Sequence, residues 1–204
     1  HITIILCNCI FIQNVASEQT SDTIKEASLL DINDYRIPMV LTNENPMIDG
    51  YVDEECWSKA PVISNFTQVQ PHEGSPPSER TEVRLLYNSG YIYVGIHAFD
   101  SQPENITARV MQRDGSMYFD DSVKMIFDTF HDNRNAFYFE INALGALRDA
   151  LIMSGKSPNY NWDSIWDGKA AINKNGWSAE LAIPIKSLSF DPKGKNWGFN
   201  VERT

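Results

Sequence analysis

The stretch TEVRLLYNSGYIYVGIHAFD, Thr81 to Asp100, decides the fold of this chain. Two runs rich in β-branched and aromatic residues, TEVRLLY and YIYVGIHAF, flank Asn88-Ser89-Gly90. Such side chains suit a pleated, half-buried surface, and a short Asn/Ser/Gly insert between two of these runs signals a hairpin, with Gly90 expected to supply a positive φ.

Outward from this hairpin the same grammar repeats. SVKMIFDTF and NAFYFEIN flank HDNR, and Val123, Met125 and Phe127 alternate with Lys124, Ile126 and Asp128. GKAAIN and WSAELAIP are joined by Lys174-Asn175-Gly176, and Pro184 marks where the second strand must stop donating to a ladder. IKSLSF carries a hint of one helical turn, and NWGFNVERT begins like another strand. Six or seven short strands at this spacing, with hardly a helical period, predict an all-β chain: an antiparallel β-sandwich of about 150 to 170 residues.

The chain has 204 residues, 42% of them apolar and 22% charged, which is ordinary globular composition. Its formal charge is −10, and no run of Lys or Arg is long enough to track a phosphate backbone, which argues against nucleic acid as a partner. At the start, ITIILCNCIFI, Ile2 to Ile12, is an uncharged and mostly apolar run too short to span a bilayer as a helix. It reads as the core of a signal peptide over residues 1–17, with Val15, Ala16 and Ser17 as small residues before a cleavage site near Glu18. The alternative is a short buried strand. Residues 18–35 are polar and read as a linker. The expected domain is 36–204, and export to the periplasm, outer membrane or cell surface is the expected location. Cys7 and Cys9 would leave with the leader, so Cys56, beside Trp57 in DEECWSKAP, is expected to be an inert, buried thiol.

Catalytic patterns are weak. His72, His97 and His131 are scattered, with neither a serine nucleophile elbow nor HExxH spacing near them. Asp120 and Asp121 could flank a glycosidic bond with another acid, which keeps a glycoside hydrolase as a minor alternative. The same pair is also the candidate ligand set for a structural Ca2+, although no DxDxDG loop is present.

The order of four segments is more specific: MIDGYVDEECWSKAP, TEVRLLYNSGYIYVGIHAFD, RDGSMYFDDSVKMIFDTF, and NWDSIWDGKAAINKNGWSAELAIPIKSLSF. In this order the chain resembles the family 9 carbohydrate-binding modules, a DOMON-like β-sandwich group, over about residues 36–204. It also resembles the N-terminal module of bacterial proteins whose C-terminal part is an outer-membrane β-barrel, so the resemblance implies that barrel as a partner. What it implies for function is non-catalytic saccharide binding, and the rival is a structural or interaction domain that binds no sugar. Tyr118 and Trp162 match the two places where sugar-binding members carry stacking aromatics, and Arg148 matches their hydroxyl-binding arginine. Arg113 and Trp166 join the expected ligand-binding set, Trp166 with a packing role at the sandwich edge. Lys124 stands where those members place an acid. Trp57, Trp177 and Trp197 are expected to pack.

Overall fold

The computed structural model describes residues 3–5 and 37–204. Among the described residues eleven strands form two sheets. They are β1 (Thr3–Ile5), β2 (Val40–Leu41), β3 (Thr67–Gln70), β4 (Thr81–Tyr87), β5 (Tyr91–Phe99), β6 (Ser122–Asp128), β7 (Ala136–Asn142), β8 (Leu147–Ile152), β9 (Asp167–Asn173), β10 (Gly176–Pro184) and β11 (Gly198–Arg203). One sheet runs β3-β1-β11-β6-β7-β8 and the other β2-β4-β5-β10-β9. The β2–β4 pair is parallel, and the other ladders among the described residues are antiparallel. This is the expected all-β sandwich.

The three expected hairpins are all present, as β4–β5, β6–β7 and β9–β10. Alternation sets the core, because successive side chains of a strand point to opposite faces. Val123, Met125 and Phe127 of β6 turn inward with Phe137, Phe139 and Ile141 of β7, and meet Val94 and Ile96 of β5 and Leu181 and Ile183 of β10. The turn at Asn88-Ser89-Gly90 differs in chemistry from the expectation. Gly90 does not adopt a positive φ; instead the Asn88 carboxamide oxygen accepts from the backbone N–H groups of Gly90 and Tyr91, at 2.8 and 2.9 Å. A side-chain acceptor has replaced the left-handed residue.

A second, smaller core lies on the outer face of the five-stranded sheet. Residues 47–60, including the single-turn helix α1 (Glu55–Ser58), lay Val52, Cys56, Trp57 and Ala60 on Leu86, Tyr93 and Ala182. Trp57 is flat on the sheet because Gly95 lies beneath it: a Cβ there would come within 3.0 Å of the indole. Trp57 and Trp177 are fully buried, and Trp197 packs partly buried against the main core, as expected.

Thr3–Ile5 falls inside the run read as a leader, and in this structure it pairs with β11 on one side and β3 on the other. The expected cleavage site and linker lie outside the described residues.

Candidate functional site

Four charged side chains cross the outer face of the six-stranded sheet in one row. Lys124 is in register with Glu202 on one side and Glu140 on the other, and Glu140 is in register with Arg148. Lys124 Nζ donates to Glu202 at 2.6 Å. Glu140 is almost wholly buried, and its carboxylate accepts from Ser122 Oγ at 2.9 Å and from the Tyr138 hydroxyl at 2.8 Å. Burial, reinforced by the adjacent Glu140, pushes the Tyr138 phenol far above its ordinary range, which keeps it a donor.

Arg148 closes the row. Its guanidinium carbon sits 3.5 Å from the centroid of the Tyr160 ring, a cation–π contact, and its nearest carboxylate oxygen, on Glu140, is 3.9 Å away. Arg148 makes no hydrogen bond among the described residues, although its side chain is only 17% exposed. Buried guanidinium groups are nearly always hydrogen-bonded, so this one carries donors without acceptors. Tyr160 lies edge-on to Tyr138 and keeps 40% of its surface exposed.

The long connection between β5 and β6 brings further aromatic surface to this end of the sheet. It is fastened at three points: Asp114 N–H donates to Leu147 O at 2.8 Å, Asn142 Nδ2 donates to Asp120 at 2.7 Å, and Thr107 N–H donates to Asp121. Leu147 immediately precedes Arg148, so Tyr118 hangs near the arginine's end of the sheet. Tyr118 and Phe119 meet edge to face at 4.8 Å, yet are 76% and 62% exposed.

The structure corrects the expected position of Trp162. Its ring packs at 5.4 Å from Phe137 and 6.4 Å from Phe139, on the core side of β7, whereas Arg148 is on the outer side. The cause is the tight turn closed by Trp162 N–H donating to Asn159 O, which folds residue 162 back over the edge of β8 and leaves Tyr160 outside. Tyr160 thus holds the outward aromatic place expected for Trp162.

Arg113 and Trp166 also face inward. Asp149, fully buried on the core side of β8, accepts from Trp166 Nε1 and Arg113 at 2.7 Å each and from the Ser164 N–H at 3.2 Å, while Arg113 also donates to Ser164 O. The guanidinium of Arg113 lies 5.5 Å from the Trp166 ring centroid. Burial pushes the Asp149 carboxyl up, against the Trp166 hydrogen bond and Arg113 charge that favour its ionised form. These contacts tie the 161–166 segment to the sandwich, so Arg113 and Trp166 are fastened structural groups here. That matches the packing expected of Trp166, and it engages Arg113 with Asp149 and the Ser164 carbonyl.

The metal expectation finds no support in this geometry. Among the described residues no group of three or more His, Cys, Asp or Glu side chains converges, and Asp120 and Asp121 accept the Val110 and Thr107 N–H groups that hold their loop. An aspartate doublet beside a long connection serves as its clamp. Cys56 is buried, and that burial, with Glu44 and Glu54 nearby, raises its thiol pKa.

Tyr160, Glu140 and Asp149 were not singled out from sequence. The readable signal was a charge in the middle of an apolar strand, in FYFEIN and in LRDALI. Such a charge must either be partnered or face away from the core.

Solved structures with this architecture include a candidate carbohydrate-binding protein from Bacteroides uniformis ATCC 8492, with a TM-score of 0.61 and 13% identity over 82% of this chain and 81% of that one. A family 9 carbohydrate-binding module from Caldicellulosiruptor kristjanssonii in complex with cellotriose gives 0.55 and 14% over 81% and 82%. The complex of such a module from that organism with glucose gives 0.51 and 16% over 81% and 84%. At these identities the likeness is one of fold. No curated protein matches the chain significantly. The model of the carbohydrate family 9 binding domain-like family matches residues 48–203, about three quarters of the sequence, and the chain belongs to that family.

Proposed function

We propose that this chain is a non-catalytic saccharide-binding module whose ligand lies on the outer face of the six-stranded sheet, against Arg148 and Tyr160, with the exposed Tyr118 at the same end of the sandwich. The observation that carries this reading is Arg148: a guanidinium held 3.5 Å over an aromatic ring, three-quarters or more enclosed, with no hydrogen-bond acceptor among the described residues. A pyranose supplies what is missing, because paired hydroxyls accept from a planar guanidinium while the sugar's C–H face lies on an aromatic ring. Lys124 does not leave the row short of acid, since Glu202 and Glu140 flank it in register. Support also comes from the family and from structural relatives solved with cellotriose and glucose.

Calorimetric titration with cellotriose, glucose and a panel of oligosaccharides tests this. Binding should weaken about 10-fold, or about 1.4 kcal/mol, in Tyr160→Ala and in Arg148→Met, with little change in thermal midpoint for Tyr160→Ala. Failure of every saccharide to bind the unaltered chain would leave the interaction-domain reading in its place.

The same proposal has the module exported and joined to an outer-membrane barrel. It rests on the apolar N-terminal run and on the order of the segments. Intact-mass measurement of the secreted protein should find the N-terminus near Glu18; retention of Thr3–Ile5, as paired here with β11, would overturn the leader.

A further inference from the structure

We propose that a second ligand site, distinct from the saccharide face, binds a linear acyl carboxylate in an apolar groove at the opposite end of the sandwich. The groove, about 790 Å3, opens where the β4–β5 turn meets the loop that leads into β11. That loop ends at Gly198, in register with Asp128 at the end of β6, whereas the saccharide face lies towards Ser122 at its beginning.

Its walls are Leu41, Ile92, Ile185, Phe190 and Trp197. Ile92 forms a buried floor, and Leu41 and Phe190 remain 58% and 39% exposed at the mouth. Phe190 and Trp197 are 5.6 Å apart and tilted by 46°, so their rings line the slot without closing it. The floor is fixed, because Ile185 N–H donates to Gly90 O at 2.9 Å and ties the two lining segments together. Apolar surface held open in this way favours an apolar occupant by about 25 cal/mol per Å2 removed from water.

Polarity at the rim selects the head group. Lys193 and Lys195 are exposed, and neither side chain has a hydrogen bond or ion pair among the described residues, in a chain with 27 acidic and 17 basic side chains. The neighbouring Asp191 accepts from the Lys193 backbone N–H at 2.9 Å. Asn88, which also lines the groove, has its oxygen occupied by Gly90 and Tyr91 and its nitrogen by Asn45 and Tyr93. The walls themselves are apolar and the Asn88 amide is already engaged, so the polar groups open to an occupant are at the rim, Lys193 and Lys195 foremost. An apolar tail ending in one anionic group fits both wall and rim.

The test is titration of the full 204-residue chain with dodecanoate below its micellar concentration at low salt, followed by calorimetry and tryptophan fluorescence. Dodecyl maltoside and dodecyltrimethylammonium, which share the tail, and cellotriose run in parallel. One equivalent of dodecanoate should bind, about 10-fold more tightly than either same-tail control. The double variant Lys193→Gln/Lys195→Gln should abolish that preference without moving the thermal midpoint or any response to cellotriose. Absence of saturable binding, equal affinity for the three head groups, or an unaltered preference in the double variant would each overturn the site.

Discussion

Raising the pH should destabilise this protein through Glu180, and the effect can be sized. Glu180 lies on the outer face of β10, wholly buried beneath residues 47–60. One carboxylate oxygen accepts from the N–H groups of Asp49 and Gly50, at 3.1 Å each, and the other from Trp57 Nε1 at 2.9 Å. These three donors favour the charged form, but burial outweighs them, and nearby Glu54 adds repulsion, so the carboxyl is pushed up from 4.5 to about 7. An acid whose pKa is higher folded than unfolded binds its proton more tightly in the fold. Its contribution is therefore complete below pH 4.5 and is lost as pH rises through about 7. That rise corresponds to about 3 kcal/mol, or about 6 to 12 °C in thermal midpoint for a chain of this size. Asp121 and Asp149, both raised by burial, act in the same direction. Urea unfolding of the unaltered chain and of Glu180→Gln at pH 4 and pH 8 isolates the one group. The variant will be weaker at both pH values, because an amide cannot accept on both sides, but its loss between them should be smaller by about 3 kcal/mol. Parallel pH profiles for the two proteins would refute the reasoning.

Three further outcomes follow from packing. Gly95→Ala should cost about 1 to 3 kcal/mol in urea unfolding, since its Cβ would fall 2.8 Å from Val52 Cγ1 and 3.0 Å from the Trp57 ring. Asp149→Ala should cost about 3 to 5 kcal/mol by leaving Arg113, Trp166 Nε1 and the Ser164 N–H without their shared acceptor, and Asp149→Asn should cost less; a loss below 1 kcal/mol for the alanine variant would remove the clamp assigned to it. Cys56 should react with a thiol reagent only after unfolding, because it is buried and its thiolate is disfavoured by that burial and by Glu44 and Glu54; rapid labelling of the native chain would contradict this.

The hairpins were legible in the sequence because their information is local. Alternation in SVKMIFD and the Asn-Ser-Gly insert after Tyr87 need only near neighbours, and the strands formed there as expected, with Val123, Met125 and Phe127 on the inward face. The β8 strand escaped that reading because LRDALI places an arginine and an aspartate side by side, and only the fold shows that they serve opposite faces: Arg148 outward against Tyr160, Asp149 inward against Trp166. β2 and β3 are too short to carry a period, and α1 is a single turn that exists to seat Trp57 over Gly95. The aromatic content of NWDSIWDGK was plain from sequence, but which ring faces outward was not. A turn from Asn159 to Trp162 reverses the chain within three residues, so spacing along the sequence no longer predicts side-chain direction. The choice between Tyr160 and Trp162 was left to tertiary structure, because it depends on which side of β7 each ring finds: Phe137 and Phe139 on one, Tyr138 and Arg148 on the other.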